Sequence, residues 1–533
     1  MRHWHGRPPR RPPEPATPTG PAGDAAWITT GITGWLVVWT TANGRGERPV
    51  HWDWFTADGY WASRLLFQKL LAAIYVVAFV CAANQFRALL GRRGLLPIPE
   101  FLRRVSAREA PSLFHWHYSD RFFAVVAGTG IAVSAALLLG AADRVPVWAA
   151  LLLWAVPWVL YLSIVNVGQA WYSFGWESLL LEAGFLAIFL GPAHTAVPLP
   201  ILLLLVWLLF RVEFGAGLIK LRGDRCWRDL TCLHYHHETQ PMPGPLSWYF
   251  HHAPGWAHRA EVLANHVAQL VVPFVLFAPQ PAATVAACLV LVTQGWLVLS
   301  GNFAWLNVLT MALAVPVIDG RLWPWAPPEP PADPPLWYGA VVLAVTALVV
   351  VLSYWPVRNL IGRGQVMNTT YNRWHLVNSY GAFGSVTRDR YEVIIEGTAD
   401  AHLGDDTVWR EYEFKGKPGD PYRRPPQIAP YHLRLDWMLW FASLSSRYGG
   451  RWLPALATRL LDGDPTVRRL LRHDPFDGEP PRFLRARLFH YRFTTRTERR
   501  ETGAWWVREP VGTVLRTSRL APDGTPIPVP LPD

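Results

Sequence analysis

The chain has 533 residues, of which 51% are hydrophobic and only 17% are charged. Soluble domains carry about 25% charged residues, so this composition excludes a single soluble globular enzyme, and the apolar content excludes a disordered chain. The net charge is +11, yet only four of the 50 basic residues are lysines: Lys69, Lys220, Lys415 and Lys417. We assign the positive charge to contacts with membrane lipids and not to nucleic acid, because basic residues flank apolar runs.

Residues 1–60 are predicted to be a partly disordered N-terminal extension. Its apolar run at 26–40 is shorter than the roughly 20 residues that a membrane span needs, so we do not count it. Residues 61–356 are predicted to form a polytopic α-helical membrane bundle of about nine spans. We place them near 64–89, 121–140, 147–169, 176–191, 199–219, 259–279, 281–300, 303–318 and 335–356.

Three connections are long: 90–120, 220–258 and the C-terminal region 357–533. Four predicted spans separate the first from the second, and four separate the second from the third. An even number of spans returns the chain to the same side, so all three are expected on one side of the membrane. The arginines of 90–120 favour the cytoplasm for that side, but the arginines of the N-terminus also favour the cytoplasm. With one predicted span between them both cannot be satisfied, so charge alone leaves the orientation open.

The last 177 residues, 357–533, are predicted to form a soluble mixed α/β, β-rich domain with a proline-rich tail. Strands are expected at 390–397, 407–416 and 481–495, with the first two joined by a polar loop. Helices are expected at 436–445 and at 451–473, the latter interrupted at Gly463 and Pro465. No nucleophile elbow, P-loop or Rossmann fingerprint occurs in the sequence, so hydrolase, ATPase and nicotinamide chemistry lack support.

Lys220, at the end of a predicted span, is the first candidate for chemistry. A partly buried lysine can lose its proton and act as a base, which arginine cannot do. A lysine that extends towards the interface from a span end is the alternative interpretation, and spacing alone favours it. Glu182 is the deeper of two acidic residues in the span 176–191, and charges at that depth usually face a cavity or a partner.

The connection 220–258 is rich in histidine. His234, His236 and His237 precede Glu238, which suggests either a metal site or a hydrogen-bonded loop at the mouth of the bundle. The spacing does not match the HExxH pattern, so we favour the loop and assign no metal ligands. Cys226 and Cys232 can pair if this side is extracytoplasmic and stay free thiols if it is cytoplasmic.

One surface of the C-terminal domain is a candidate for binding. Trp409 and Glu411 lie on an acidic, aromatic strand that leads to a basic, proline-rich loop with Arg423 and Arg424. Such a loop binds an acidic partner or lipid head groups, or it is simply solvated.

Several stretches resemble the lipase maturation factor family. They are HYSDRFF (117–123), ESLLLEAGFLAIFLGP (177–192), GLIKLRGDRCWRDLTCLHYHHETQPMPGPLSWY (217–249), NHVAQLVVPF (265–274), GNFAWLN (301–307), NSYGAFGSVTRDRYEVIIEGT (378–398), WREYEFKGKPGD (409–420) and PYHLRLDWMLWFASL (430–444). The resemblance covers about 60 to 500. It implies a polytopic membrane protein with an extracytoplasmic C-terminal domain that assists the folding of exported lipases. With Trp227 and Asp229, the residues His234, His236, His237 and Glu238 form the candidate client or loop site.

The segment GLIKLRGDRCWRD (217–229) also looks like part of the vitamin K-dependent gamma-carboxylase superfamily, in which a glycine-rich span ends in a lysine. In that family the lysine is the base in vitamin K hydroquinone oxygenation, and Lys220 is the matching position. The family's functional histidine has no counterpart, because the corresponding region here reads WYSFGWESLL (171–180).

The leading hypothesis is therefore a non-enzymatic maturation factor that binds an exported client protein and needs no cofactor. We expect it in the plasma membrane of a bacterium, because the composition is rich in arginine and poor in lysine. The alternative is a membrane enzyme of the gamma-carboxylase-like superfamily that acts near a quinone or a lipid. Lys220 would be its base, assisted by Glu182 or a loop histidine in a cavity lined by Trp171 and Trp176.

Overall fold

A computed structural model describes residues 53–529 of the chain. The apolar run 26–40, and most of the predicted extension 1–60, lie outside the described residues. Six helical segments within 53–529 are long and apolar enough to cross a membrane. They are Asp58–Leu89, Asp120–Leu138, Val147–Val167, Leu199–Arg222, Ala282–Ser300 and Leu336–Ile361.

The helices of the bundle and its connections are numbered in chain order. They are α1 (Trp61–Leu89), α2 (Ile98–Leu102), α3 (Asp120–Leu138), α4 (Val147–Val167), α5 (Gly175–Ile188), α6 (Leu199–Arg222), α7 (Arg225–Arg228), α8 (Leu233–Thr239), α9 (Ser247–His251), α10 (Gly255–Leu270), α11 (Val272–Val275), α12 (Ala282–Ser300), α13 (Leu306–Ala314), α14 (Leu336–Leu352) and α15 (Tyr354–Ile361). Ser119 begins α3 by accepting a hydrogen bond from the Phe122 N–H, as serine favours at an N-cap.

The predicted count of about nine spans is not confirmed. The predicted spans 176–191, 259–279 and 303–318 correspond to the shorter helices α5, α10 with α11, and α13. Pro273 lies in the first turn of α11, where the missing N–H is tolerated, and the long predicted helix is divided there. A helix of 14 residues such as α5 extends only about 21 Å, less than the roughly 30 Å of a hydrocarbon core.

Two of these shorter segments, α5 and α10 with α11, nevertheless carry the chain from one end of the bundle to the other. At the start of α5, Glu177 binds Arg434 of the C-terminal region, whereas the Phe189 carbonyl beyond its end accepts from Tyr338 at the start of α14. Gln280, which follows α11, donates to Tyr60 at the start of α1. The number of passages through the bundle is therefore larger than the number of helices long enough to span a membrane.

The three long connections contact one another at one end of the bundle, and we call this the loop end. Glu100 in the first connection lies 3.3 Å from Arg451 of the C-terminal region. In the second connection the Trp248 indole donates to the Thr494 carbonyl at 2.8 Å, and the Glu238 carbonyl accepts from Arg390.

The C-terminal region contains an antiparallel five-stranded sheet in the order β2-β1-β5-β6-β7 and a separate pair β3-β4. Its elements are β1 (Arg390–Thr398), β2 (Arg410–Glu411), β3 (Glu413–Phe414), α16 (Arg434–Leu444), α17 (Ser446–Gly449), α18 (Trp452–Leu461), α19 (Pro465–Arg468), β4 (Leu471–His473), β5 (Phe483–Phe493), α20 (Arg496–Thr502), β6 (Trp506–Leu520) and β7 (Pro526–Pro528). Thr495 and Glu498 form a reciprocal capping box at the start of α20.

The sequence predictions for this region are partly confirmed. The strands at 390–397 and 481–495 correspond to β1 and β5, and β1 pairs with β2 across the polar loop, with Glu396 opposite Glu411. The predicted strand 407–416 is divided between two sheets as β2 and β3. The predicted tail contains the longest strand of the described region, the 15-residue β6.

Candidate functional site

Two buried ion pairs lie where the bundle meets the C-terminal region, and we call them together the charged joint. Glu177 of the bundle pairs with Arg434 of the C-terminal region, and Glu182 pairs with Arg211 inside the bundle. The Glu177 carboxylate lies 2.6 Å from the Arg434 guanidinium, and both side chains are fully buried. Tyr161 also donates to Glu177, and the Arg434 guanidinium lies 3.5 Å from the Tyr172 ring centre. Both charges are thus compensated in the interior, which a buried ion pair requires.

Glu182, the second candidate acid from the sequence, is fully engaged in this joint. Its carboxylate pairs with Arg211 and also accepts from Tyr380 at 2.7 Å. The backbone N–H and side-chain amide of Asn378 each donate to it at 3.0 Å. These contacts fix the segment 376–384 onto the bundle, so Glu182 positions this segment and does not approach Lys220.

Gly215 on α6 and Gly223, directly after it, allow the segment 380–384 to lie against that helix. A Cβ atom at Gly215 would clash with the Tyr380 carbonyl, and one at Gly223 would clash with the Gly384 carbonyl. Glycine is therefore required at this end of the span because two backbones approach each other closely there. The same approach places the Phe383 carbonyl 2.8 Å from the Trp227 indole N–H.

Lys220 is buried in the bundle and is held by neutral amides. Its Nζ donates to Gln269 Oε1 at 2.7 Å and to Asn265 Oδ1 at 3.3 Å, and it lies 5.0 Å from the centre of the Trp227 ring. Gln269 in turn donates to Glu213 Oε2 at 3.3 Å.

The hydrogen bonds continue from Glu213 towards α13. Gln294 donates to Glu213 Oε1 at 2.6 Å, and Asn307 donates to Gln294 at 2.7 Å. We call this series Lys220–Gln269–Glu213–Gln294–Asn307 the amide chain. The side chains Trp171 and Trp176, predicted to line a cavity beside Lys220, instead lie at the charged joint, against Trp452 and His432 respectively.

The second long connection is held by a disulfide and by the segment near Phe383. Cys226 and Cys232 form a disulfide with their Cα atoms 4.8 Å apart. They form a small apolar cluster with Trp227, Leu233, Val262 and Val386. Asp229 is half exposed and pairs with Arg225, 3.1 Å away.

The histidines and Glu238 of α8 differ in their surroundings. His234 is exposed, whereas His236 is buried against the Phe383 ring and His237 is 2% exposed. Glu238 accepts a hydrogen bond from the Phe493 N–H at 2.6 Å, which ties α8 to the end of β5. Burial raises the pKa of this carboxyl above its ordinary value.

The predicted binding surface of the C-terminal region is used for internal contacts. The Arg485 guanidinium lies 3.9 Å from the Trp409 ring centre, and Glu411 is bound by Arg508 at 2.6 and 2.8 Å. Arg423 donates to the Phe414 and Lys415 carbonyls. The exposed Arg424 donates to the Pro245 carbonyl at 3.0 Å and so links this loop to the second connection.

A surface cleft of about 430 Å³ lies between α9 and α20 at the loop end, and it was not predicted from the sequence. Its lining residues are aromatic or basic: Trp248, Tyr249, His252, Arg496, Arg499 and Arg500. Arg499 stacks on Trp505 with its guanidinium 3.4 Å from the ring centre. The clustering of tryptophan and tyrosine in PLSWYFHH (245–252) was the available signal, but the partner arginines lie about 250 residues away.

Comparison with known proteins covers both the bundle and the C-terminal region. The model of the lipase maturation factor transmembrane domain matches residues 62–325, and that of the lipase maturation factor C-terminal domain matches residues 376–516. Lipase maturation factor 1 of Homo sapiens is 40% identical, over 98% of this chain and 95% of that protein. The chain belongs to the lipase maturation factor family.

Other members of the family match as well. Lipase maturation factor 1 of Bos taurus is 41% identical over 86% of this chain and 89% of its own length. Lipase maturation factor 2 of Gallus gallus is 30% identical over 84% and 80%. No solved structure matches the chain. Both parts of the charged joint lie within the two matched domains, Glu177, Glu182 and Arg211 in the first and Arg434 in the second.

Proposed function

We propose that the chain is a membrane-anchored maturation factor for exported lipases. The observation that carries this proposal is the match to lipase maturation factor 1 over 95% of that protein, which includes the bundle, the joint and the C-terminal region together. A factor of this kind needs a client surface held at a fixed position on the membrane. The buried pairs of the charged joint support such an arrangement, because they leave little freedom between the bundle and the sheet.

We place the client surface at the cleft between α9 and α20. Aromatic side chains and arginines are the residues that most often dominate protein–protein binding energy, and this cleft combines them on an open surface. Trp227, Asp229 and His234, the other client candidates, belong to the same connection as α9 but do not line the cleft. Arginines in this position fit an acidic segment of the client.

We further propose that the loop end faces away from the cytoplasm, in the plasma membrane of a bacterium. The disulfide supports the orientation, since disulfides persist in oxidising compartments, and the scarcity of lysine supports the host. A cysteine introduced in the exposed loop as Gly404→Cys should react with a membrane-impermeant maleimide on intact cells, beyond the background from Cys288. Labelling only after the cells are permeabilised would overturn the orientation.

The direct test is deletion of the gene in the native host, followed by complementation. The quantity to measure is the activity of secreted lipases per unit of secreted lipase mass, which separates maturation from expression. Deletion should lower this specific activity and the wild-type gene should restore it. Unchanged folding and secretion of every exported protein after deletion would overturn the proposal.

A charge reversal at the cleft tests the client surface. Arg500→Glu should restore less lipase activity than the wild type, whereas Arg516→Glu, an exposed arginine of β6 outside the cleft, should restore it fully. Equal restoration by both variants at equal protein level would exclude the cleft as the client surface.

The alternative of a gamma-carboxylase-like enzyme is not favoured. Lys220 is bonded to two amides, and Glu182, the acid expected to assist it, is bonded to Arg211 in the charged joint. No step through a quinone or a lipid is therefore proposed.

A further inference from the structure

Three side chains from α8 and α10 bring potential metal ligands together at the loop end. His237, His258 and Glu261 each offer one donor atom, and these atoms all lie within 4.8 Å of one another. His258 and Glu261 are three residues apart on α10 and so share one face of that helix. His237 approaches them from α8.

The hydrogen bonds around His258 and Glu261 leave one donor atom of each directed at the cluster. His258 Nε2 lies 3.2 Å from the His251 carbonyl, which fixes the proton on Nε2 and leaves Nδ1 as an acceptor. That Nδ1 is buried and has no hydrogen-bond partner among residues 53–529. Glu261 Oε1 accepts from the Trp296 indole at 2.7 Å, and Oε2 remains for a ligand. Metal-binding side chains are typically oriented by such outer hydrogen bonds.

His237 provides the second, independent observation. Its ring is 2% exposed, and within the described part of the chain neither of its nitrogens has a hydrogen-bond partner. An unpartnered imidazole is costly to bury. Its Nε2 lies 3.6 Å from Glu261 Oε2, too far for a good hydrogen bond but close to the roughly 3.4 Å that separates two ligands of a tetrahedral zinc ion.

We propose that His237, His258 and Glu261 bind one divalent transition-metal ion, for which Zn²⁺ is the best match. Two imidazoles and one carboxylate are a common zinc donor set and leave a fourth position for water or another ligand. The Phe250 ring stacks on His237 with the ring centres 5.5 Å apart, which shields the site. The ion joins α8 to α10 and so holds the second connection on the bundle.

This inference differs from the sequence expectation of no metal. His237 and His258 are 21 positions apart in the sequence, and the three ligands do not have the HExxH spacing, so the sequence pattern did not indicate them. The inference stands independently of the proposed function, since it concerns metal binding by the purified protein.

The test uses the full chain, purified in detergent through an affinity tag without histidine. The protein is equilibrated with ZnSO₄ and freed of unbound ion by gel filtration, and bound zinc is measured by mass spectrometry. The wild type should retain about one equivalent. His258→Gln and Glu261→Gln should each bind zinc at least tenfold more weakly, whereas His402→Gln, which removes an exposed histidine of the C-terminal region, should bind as the wild type does.

Two results would overturn the proposal: a wild type that retains less than a tenth of an equivalent, or variants at the cluster that retain as much as the wild type. X-ray absorption at the zinc edge on the wild type supplies a measurement that needs no variant. Nitrogen and oxygen ligands at about 2.0–2.1 Å with imidazole scattering support the site, and sulfur ligands at about 2.3 Å would place the ion elsewhere.

Discussion

The charged joint and the amide chain bury ionisable side chains in opposite ways, although both use helix α6. Arg211 contacts its counter-charge Glu182 directly. Lys220, nine residues later and about 13 Å along the helix, reaches Glu213 only through the amide of Gln269. Arginine with a carboxylate provides a rigid, bidentate contact, whereas lysine is a compact charge that several amides can share. The joint therefore fixes the C-terminal region, and the amide chain links helices inside the bundle.

Arg211→Met should have the largest effect on stability. It leaves the Glu182 charge buried without a cation, which costs about 3–5 kcal/mol. The free energy of unfolding in mixed micelles measures the loss, and loss of less than about 1 kcal/mol would contradict the role given to the joint.

Acid should weaken the joint through His432, which lies between Trp176 and Glu177. Burial, with a smaller contribution from the Arg434 charge, lowers the pKa of His432 to about 4 from its ordinary 6.5. Between pH 6.5 and pH 4 this histidine binds a proton in the unfolded chain but stays neutral in the folded chain. The contribution of neutral His432 to the free energy of unfolding is therefore fully present above pH 6.5. It is lost as the pH is lowered towards 4, by up to about 3 kcal/mol.

The control for this pH dependence is another histidine. His432→Phe should make the fall in unfolding free energy between pH 6.5 and 4 smaller, whereas His402→Gln should leave it unchanged. The fall that remains in His432→Phe comes from other buried histidines such as His375, whose pKa burial lowers to about 4. An equal fall in the wild type and in His432→Phe would show that His432 does not contribute to it.

Lys220→Met should have a smaller effect than Arg211→Met, although both remove a buried cation from α6. The substitution leaves the Gln269 carbonyl without its donor, at a cost of about 1–3 kcal/mol. The same unfolding measurement compares the two variants at matched protein level. If Lys220→Met is the more damaging of the two, the contrast between the joint and the amide chain is wrong.

The smallest effect is expected at the ion pair of Asp224 and Arg388, which lies between α6 and the C-terminal region but near solvent. Hydrogen bonds from Arg388 hold the pKa of Asp224 at about 2, below its ordinary value. Arg388→Ala should cost about 0–1 kcal/mol at neutral pH, as exposed pairs do. A loss as large as that of Arg211→Met would mean that burial does not set the order of these effects.

Residue patterns predicted the helical bundle and the strands β1 and β5, because apolar runs and alternation are local properties. They did not predict the charged joint, since Glu177 and Arg434 are 257 residues apart and each resembles an ordinary charge in its own segment. Arg424 was interpreted as a surface group for the same reason, because the Pro245 carbonyl that binds it is 179 residues away.

The short helices show a second limit of local patterns. The predicted span 259–279 is apolar enough as a sequence, but Pro273 and the polar residues of α10 divide it. Asn265 and Gln269 on α10 disturb the apolar pattern, yet in the fold they are the partners of Lys220.

A double-mutant cycle at Glu177 and Arg434 tests most directly whether the joint fixes the C-terminal region to the bundle. The free energies of unfolding of the wild type, Glu177→Gln, Arg434→Met and the double variant give the coupling between the two side chains. We predict a coupling of about 2–3 kcal/mol, with the double variant more stable than Arg434→Met alone. A coupling below about 0.5 kcal/mol would contradict the account.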